Sequence, residues 1–361
     1  MPVAERPNPE RQAQVAGRQS VRRGNYQCAT NTYRAVKILI PNYPSPDSFA
    51  DNAVYTLRKM GHEVDTLPFA PPRNVLARGI AELRSKAFPH YWSAAERWAV
   101  GRARQTRCDL VLCLTQSLRE DVLAELKRHK VRRLAAWWGD PPANMRGMGL
   151  LSDAWDAIFL KDALAVRKFR TVGLHAELLH EAFNPDWHQR RFGAIGGEIV
   201  VAGNYYGYRQ FIVRRLIEAG LPVALYGFPP PRWADPTIKA AHRGSFIVRM
   251  EKSAIFGSGI ACLNSTTLAE GDSLNCRAFE IAGACGLHLI EDRPAVAGCF
   301  EPGTEVLVYR SIDDITEFVA KAQRDPAWAL SIREAGSRRA HAEHSYRQRL
   351  ELILRRVKLM T

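Results

Sequence analysis

The chain has 361 residues, 46% of them hydrophobic and 24% charged, with a formal net charge of +14. Its length exceeds what one hydrophobic core usually organises, so two domains are expected, and the hydrophobic content excludes a chain that stays disordered. The basic surplus calls for something anionic, whether phosphorylated ligands, an anionic membrane face or nucleic acid, without choosing among them.

Residues 1–34 are polar, arginine-rich and without periodicity, and read as a disordered basic tail outside the fold. They contain no apolar signal-peptide segment, and no run in the chain approaches the roughly 18 apolar residues of a membrane span. The seven cysteines include no C-x-x-C pair. A reducing, cytoplasmic setting follows, with at most peripheral contact with the inner membrane face.

From Val36 the pattern changes. Val36–Ile40 reads as a strand, Ser48–Met60 as a helix stopped by Gly61, and Glu63–Leu67 as a second strand. A long helical stretch within 73–105 precedes the apolar strand Asp109–Leu114 and a helix over Ser117–Lys130. Leu134–Trp138, Ala157–Leu160 and Glu177–His180 continue the strands at helix-sized spacing. Such alternation implies right-handed βαβ crossovers and a parallel sheet.

A second series opens at Glu198–Ala202 and continues through Gly203-Asn-Tyr-Tyr-Gly-Tyr-Arg209, a helix to Ala219 and the strand Val223–Tyr226. Strand Gly259–Asn264, helix Asn275–Ala284 and strands Leu287–Ile290 and Glu305–Tyr309 complete it. The predicted fold is α/β, with two Rossmann-like domains at 35–190 and 191–338. The polar stretch 184–197 is their hinge.

The segment Gly271-Asp-Ser-Leu-Asn-Cys-Arg-Ala-Phe-Glu-Ile-Ala-Gly-Ala-Cys-Gly286 sets a polar loop at a helix start and closes the helix with glycine. Free amides and the positive dipole end at such a start suit a phosphate, though Ser273 or Asn275 could cap the helix with no ligand. Glu280 is an acceptor-only group suited to vicinal ribose hydroxyls, or an ordinary exposed helical glutamate. Arg209 follows a glycine turn at a strand end, where a guanidinium suits a diphosphate or pairs with a surface acid. Asp140, after Trp137-Trp138, meets an acceptor or starts a turn at Pro141; the tryptophans line a sugar groove or pack the core.

The Gly271–Gly286 stretch resembles the E-x7-E donor-binding signature of retaining GT-B glycosyltransferases. It is more closely similar to the N-x-R-x-F-E-I-x-A-C-G pattern of glycosyltransferases related to the spore maturation protein CgeB. Val201-Ala-Gly203 with Arg209, and the segments Tyr309–Asp314 and Ala335–Arg347, resemble other parts of that group. The match is looser at Trp137–Pro142, Asp156–Phe159 and Gly173. The resemblance implies a GT-B fold, two parallel sheets facing across an interdomain cleft, with donor in the second domain and acceptor in the first.

It also implies the roles. Glu280 holds the donor ribose, while Gly203, Arg209, Arg277 and the backbone of Ser273, Leu274, Asn275 and Cys276 contact the diphosphate. Asp272 faces the sugar, and Asp272 and Asp140 are the catalytic candidates. Two departures stand out: Asp272 replaces the first glutamate, and both Gly283 and Ala284 precede Cys285, one residue more than the usual pattern. A terminal helix, 339–361, is expected to cross back toward the first domain.

Other chemistries lack their residues. His341 and His344 have no H-E-x-x-H glutamate, no P-loop is present, and Gly257-Ser-Gly259 lacks the third glycine and strand-to-helix placement of a dinucleotide site. No D-x-D occurs to hold a metal-bound diphosphate. The expected activity is metal-independent, retaining transfer from a nucleotide sugar to a glycan, protein or lipid, with no further cofactor. A non-catalytic nucleotide- or polyanion-binding protein and a nucleotide-sugar epimerase are the alternatives. Nucleic acid is the least favoured partner; binding through the basic tail would be steeply salt-dependent.

Overall fold

Short apolar runs separated by amphipathic segments build two sheets that are each buried on both faces. The computed structural model describes residues 34–360 apart from 71–78, 81–82, 85–87, 89–90, 146–148, 191–194, 205 and 245. The expected tail, residues 1–34, lies outside the described residues except for Arg34, as do part of the expected 73–105 helix and part of the expected hinge. Both sheets fall in one compact unit, Ala35–Thr361.

The first sheet contains β1 (Lys37–Ile40), β2 (Glu63–Thr66), β3 (Leu110–Leu114), β4 (Arg133–Trp138), β5 (Ala157–Leu160) and β6 (Ala176–Leu178). They run parallel in the order β2-β1-β3-β4-β5-β6. Helices α1 (Phe49–Lys59), α2 (Ala94–Gln105), α3 (Glu120–Arg128) and α4 (Ala163–Thr171) cover it. The period of two is visible in β1: Leu39 packs with Val122 and Leu123 of α3, while Ile38 and Ile40 pack on the other face with Val54 and Leu57 of α1.

The second sheet contains β7 (Ile199–Ala202), β8 (Val223–Tyr226), β9 (His242–Gly244), β10 (Ala261–Asn264), β11 (His288–Glu291) and β12 (Leu307–Tyr309). It is also parallel, in the order β12-β11-β10-β7-β8-β9. Helices α5 (Gly207–Glu218), α6 (Pro236–Ala241), α7 (Arg249–Ser258), α8 (Cys276–Gly283), α9 (Pro294–Ala297) and α10 (Ile312–Arg324) accompany it. Strand order reverses between β7 and β10, so a crevice opens beyond their carboxyl ends. The predicted pair of parallel Rossmann-like sheets is therefore present.

The end of the chain differs from expectation. Two helices stand there, α11 (Pro326–Glu343) and α12 (Tyr346–Arg356), because Ser345 and Gln348 form a capping box that starts a new helix. Tyr346, Leu350, Ile353 and Leu354 of α12 join Ala53, Val54 and Leu57 of α1 in one cluster under the first sheet. Fully burying residues such as Leu350 and Ile353 contributes roughly 1.5–3 kcal/mol each. The junction is tied by paired backbone bonds, Phe183 N–H to His344 O at 3.2 Å and Tyr346 N–H to Phe183 O at 3.0 Å. No helix among the described residues is long and apolar enough to cross a membrane.

Candidate functional site

The crevice at the β7/β10 switch point is lined by Gly203, Asn204, Tyr226, Gly227, Phe246, Ile247, Lys252, Cys276, Arg277 and Glu280, and by Asp47 from the first domain; its volume is about 200 Å³. Its floor is made by two glycine turns. Gly203 has φ +119°, and a Cβ there would stand 2.4 Å from Arg277 Nη2. The turn must be glycine for the Arg277 guanidinium to lie against the backbone.

Helix α8 supplies three of the lining groups. Asn275 caps it: Oδ1 accepts from Ala278 N–H at 3.2 Å, and Nδ2 donates to Asn264 Oδ1 at 3.2 Å, tying the cap to the end of β10. Arg277, in the first turn, is half-buried and forms no ion pair among the described residues. Glu280, one turn on, is 5% exposed and accepts from Lys252 Nζ at 2.6 Å, with His188 Nε2 4.0 Å away. His188 is fully buried, and burial pushes its imidazole down to about 3, so it stays neutral beside the carboxylate.

The other expected donor contacts are placed elsewhere. Arg209 is 1% exposed and does not line the crevice; its Nε donates to Ser265 Oγ at 3.0 Å and its Nη1 to Asn204 O at 2.6 Å, and it stacks on the Tyr206 ring. It braces the Gly203 turn against the end of β10. Burial, then the positive charge of Arg277, lowers it to about 10. A second cation so close means this turn carries concentrated positive charge that an anion would relieve.

Ser273 is fully buried and its Oγ donates to the Glu270 carboxylate, while Leu274 packs in a core with Phe183 and Phe279. Asp272 Oδ1 accepts from Ala295 N–H at 2.7 Å, which makes it a cap for the short helix α9. Asp140 is exposed on the turn after β4, with Asn144 Nδ2 at 3.5 Å from its Oδ2. Of the backbone amides expected to meet a diphosphate, that of Cys276 donates to Glu181 Oε2 of the first domain at 2.8 Å. The helix end thus faces the seam between the domains, with a carboxylate already against it.

That seam holds a buried charge cluster with no motif in the sequence. Lys161 Nζ lies 2.9 Å from Glu270 Oε1 and 3.8 Å from Glu181 Oε2, and the lysine and Glu270 side chains are each 3% exposed. One ammonium cannot compensate two buried carboxylates, and Glu270 has the closer claim. Burial therefore pushes Glu181 up to about 7, against the opposing pull of Lys161. Burial opposes the charge on Lys161, but Glu181 and Glu270 outweigh it and leave its ammonium favoured.

Asp47 and Lys252 also escaped the sequence reading, since an ion pair between domains has no local spacing. Asp47 sits in the Pro44-Ser-Pro-Asp47 turn after β1 with φ +60°, a left-handed conformation that costs a non-glycine residue about 1 kcal/mol or more. Trp137 and Trp138 are both buried, and Trp137 meets Phe49 edge-on at 4.6 Å, so they serve the core. His341 and His344 bond backbone carbonyls of Gly283 and Cys299.

The two parallel sheets, their switch-point crevice and the return of α12 to the first domain can be set beside known proteins. HepE of Anabaena, solved in complex with UDP-glucose, superposes at a TM-score of 0.62 with 10% identity, covering 90% of this chain and 99% of its own. Sucrose-phosphate synthase of Thermosynechococcus elongatus gives 0.60 at 12% identity, covering 90% and 99%. AviGT4, a glycosyltransferase involved in avilamycin A biosynthesis, gives 0.57 at 14%, covering 90% and 98%. The fold is GT-B. Within this GT-B chain, residues 209–355 match the model of the family described as Glycosyl transferase-like. That span holds Arg209, Lys252, Arg277 and Glu280, and lies almost wholly in the second GT-B domain. No curated protein sequence matches the chain.

Proposed function

We propose that this protein transfers a sugar from a nucleoside-diphosphate sugar bound in the β7/β10 crevice to an acceptor hydroxyl presented by the first domain. The observation that carries the reading is the set of groups that one crevice brings together: Phe246 and Ile247, the carboxylate of Glu280, and the paired turns at Gly203 and Gly227 with the guanidinium of Arg277. An aromatic and apolar wall suits a base, an acceptor-only carboxylate suits ribose hydroxyls, and an unpaired guanidinium against a glycine turn suits a diphosphate. Support also comes from the family match over 209–355 and from HepE, a neighbour of the same fold that holds UDP-glucose. Kinship with the CgeB-related enzymes rests on Asn275, Arg277, Phe279, Glu280 and Ile281 of the shared pattern.

In the transfer, the bond between the anomeric carbon and the diphosphate oxygen breaks, and the acceptor oxygen bonds to that carbon. The acceptor proton passes to the departing diphosphate. Negative charge grows on the leaving group, and Arg277, with the buried charge of Arg209 behind it, is placed to stabilise that charge without a metal. Retention of configuration follows from the resemblance to the E-x7-E enzymes. The acceptor class is a glycan, protein or lipid hydroxyl, and the basic surface suits peripheral contact with an anionic membrane.

The test is calorimetry with nucleoside diphosphates and their sugars, joined to donor-hydrolysis assays. Arg277→Ala and Glu280→Ala are each expected to weaken binding about tenfold or more, as loss of a charge-assisted contact does. Unchanged affinity in both variants, for every nucleotide the wild type binds, would remove the assignment.

A further inference from the structure

We propose that Asp47 is a second carboxylate of the nucleotide site, supplied by the first domain, and that Asp47 and Glu280 each take one hydroxyl of a ribose. The site would then select ribonucleoside diphosphate sugars over 2′-deoxyribonucleoside ones. This rests on the reading of the crevice as a nucleotide-sugar site.

Asp47 lines the same crevice as Glu280, and its side chain is 3% exposed. One oxygen, Oδ2, is committed: it accepts from Lys252 Nζ at 2.7 Å and from the Arg249 backbone N–H at 3.1 Å. The other, Oδ1, is buried with no hydrogen-bond partner. Buried carboxylate oxygens are rarely left without a donor, and one on a residue that lines a crevice is an acceptor a ligand can satisfy. The backbone supports this placement: the residue is held at φ +60°, with its own N–H donating to Asp51 Oδ2 at 2.8 Å.

Lys252 fixes the spacing. A single ammonium touches Glu280 Oε1 at 2.6 Å and Asp47 Oδ2 at 2.7 Å, so two carboxylates from different domains flank one cation. Each ribose hydroxyl has one hydrogen to give and lone pairs to receive. Two carboxylates and a shared ammonium match a vicinal diol in both respects. Charge in the crevice agrees: Asp47 and Glu280 leave one negative charge after Lys252 is counted, whereas Arg277 is a cation without an ion pair among the described residues, so a diphosphate is drawn to Arg277 rather than to Asp47. An ion pair that only joins the domains would not need an unpaired oxygen on the residue that lines the crevice.

The experiment is calorimetry on the full chain with UDP, GDP and ADP and with their 2′-deoxy and 3′-deoxy counterparts. Wild type is expected to bind each deoxy analogue about tenfold or more weakly than the parent, because a site built for a hydroxyl leaves its acceptor unpaired when that hydroxyl is missing. Asp47→Ala should shrink one of the two penalties to about twofold or less, and Glu280→Ala the other. Deoxy analogues that bind wild type as well as their parents would overturn the proposal, as would an Asp47→Ala protein that keeps both penalties. If that variant fails to fold, Asp47→Gly, which suits the backbone at φ +60°, takes its place in the same comparison. Binding of ribonucleotides without discrimination sinks this proposal alone, whereas failure of all the nucleotides to bind sinks the crevice reading with it.

Discussion

At the scale of single residues, the crevice depends on a position where a side chain cannot be accommodated. Gly203→Ala adds a methyl 2.4 Å from Arg277 Nη2 at φ +119°. The arginine is flexible and can move, so the steric part costs little folding energy, while the backbone part costs about 1–3 kcal/mol. Displacing Arg277 should weaken nucleotide binding about tenfold. Thermal melts and calorimetry on the same protein separate the two effects, and wild-type affinity in this variant would place the diphosphate away from Arg277. Gly203, Arg277 and Glu280 were legible because a strand-end glycine turn and one helix turn carry spacing signals. Arg209 was legible as a residue but not as a direction, since its guanidinium turns inward to Ser265 and Asn204. Asp272 follows the E-x7-E spacing yet caps α9, while Glu270, two positions earlier, is the acid buried in the seam. Asp47 and Lys252 left no trace in the sequence because only the packing of two domains brings them together.

At the scale of elements, helix α8 decides where the site lies, and its position is set by a close approach at its far end. Gly283 faces Phe183, where a Cβ would come 2.4 Å from the ring carbon Cδ2. Gly283→Ala should therefore cost about 1–3 kcal/mol as an overpacked contact. Its effect should be strongly non-additive with Phe183→Leu, since a smaller neighbour leaves room for the methyl. Denaturant melts of the two single variants and the double variant measure this; additive losses would show that the two residues are not in contact. At the opposite end, Asn275→Ala should cost about 1 kcal/mol through loss of the cap to Ala278 N–H. The extra residue, Gly283, stands out in the sequence as a departure from the pattern and not as the contact with Phe183, whereas the apolar strands were plain because both sheet faces are buried. Strand β9, His242-Arg-Gly244, was not legible: none of its residues is apolar, and it forms an edge held by pairing with β8. The split between α11 and α12 was missed because arginines run through both helices, masking the Ser345 cap.

At the scale of the whole molecule, the two domains meet through charges that water does not screen, so their union should respond to pH. Glu181 is raised from an ordinary carboxyl to about 7 by burial, which makes its protonated form the one the folded seam prefers. Its contribution is then complete below about pH 4.5 and is lost as pH rises through 7, up to about 3 kcal/mol. Buried histidines act in the opposite sense. His180 and His344 are lowered to about 4, and His188 and His288 to about 3, all chiefly by burial. Their contribution is present above pH 6.5 and fades as pH falls, because the unfolded chain takes up protons that the folded one refuses. The wild-type profile mixes the two, so the informative quantity is a difference. Glu181→Gln keeps an acceptor for Cys276 N–H and removes the titration, so its stability relative to wild type should improve from pH 5 to about pH 7 and level off above it. Denaturant melts at half-unit pH intervals measure that difference. A constant offset would mean that Lys161 holds Glu181 ionised throughout; the seam would then be a compensated ion cluster insensitive to pH, and the neighbouring Glu270 would have to share the lysine equally.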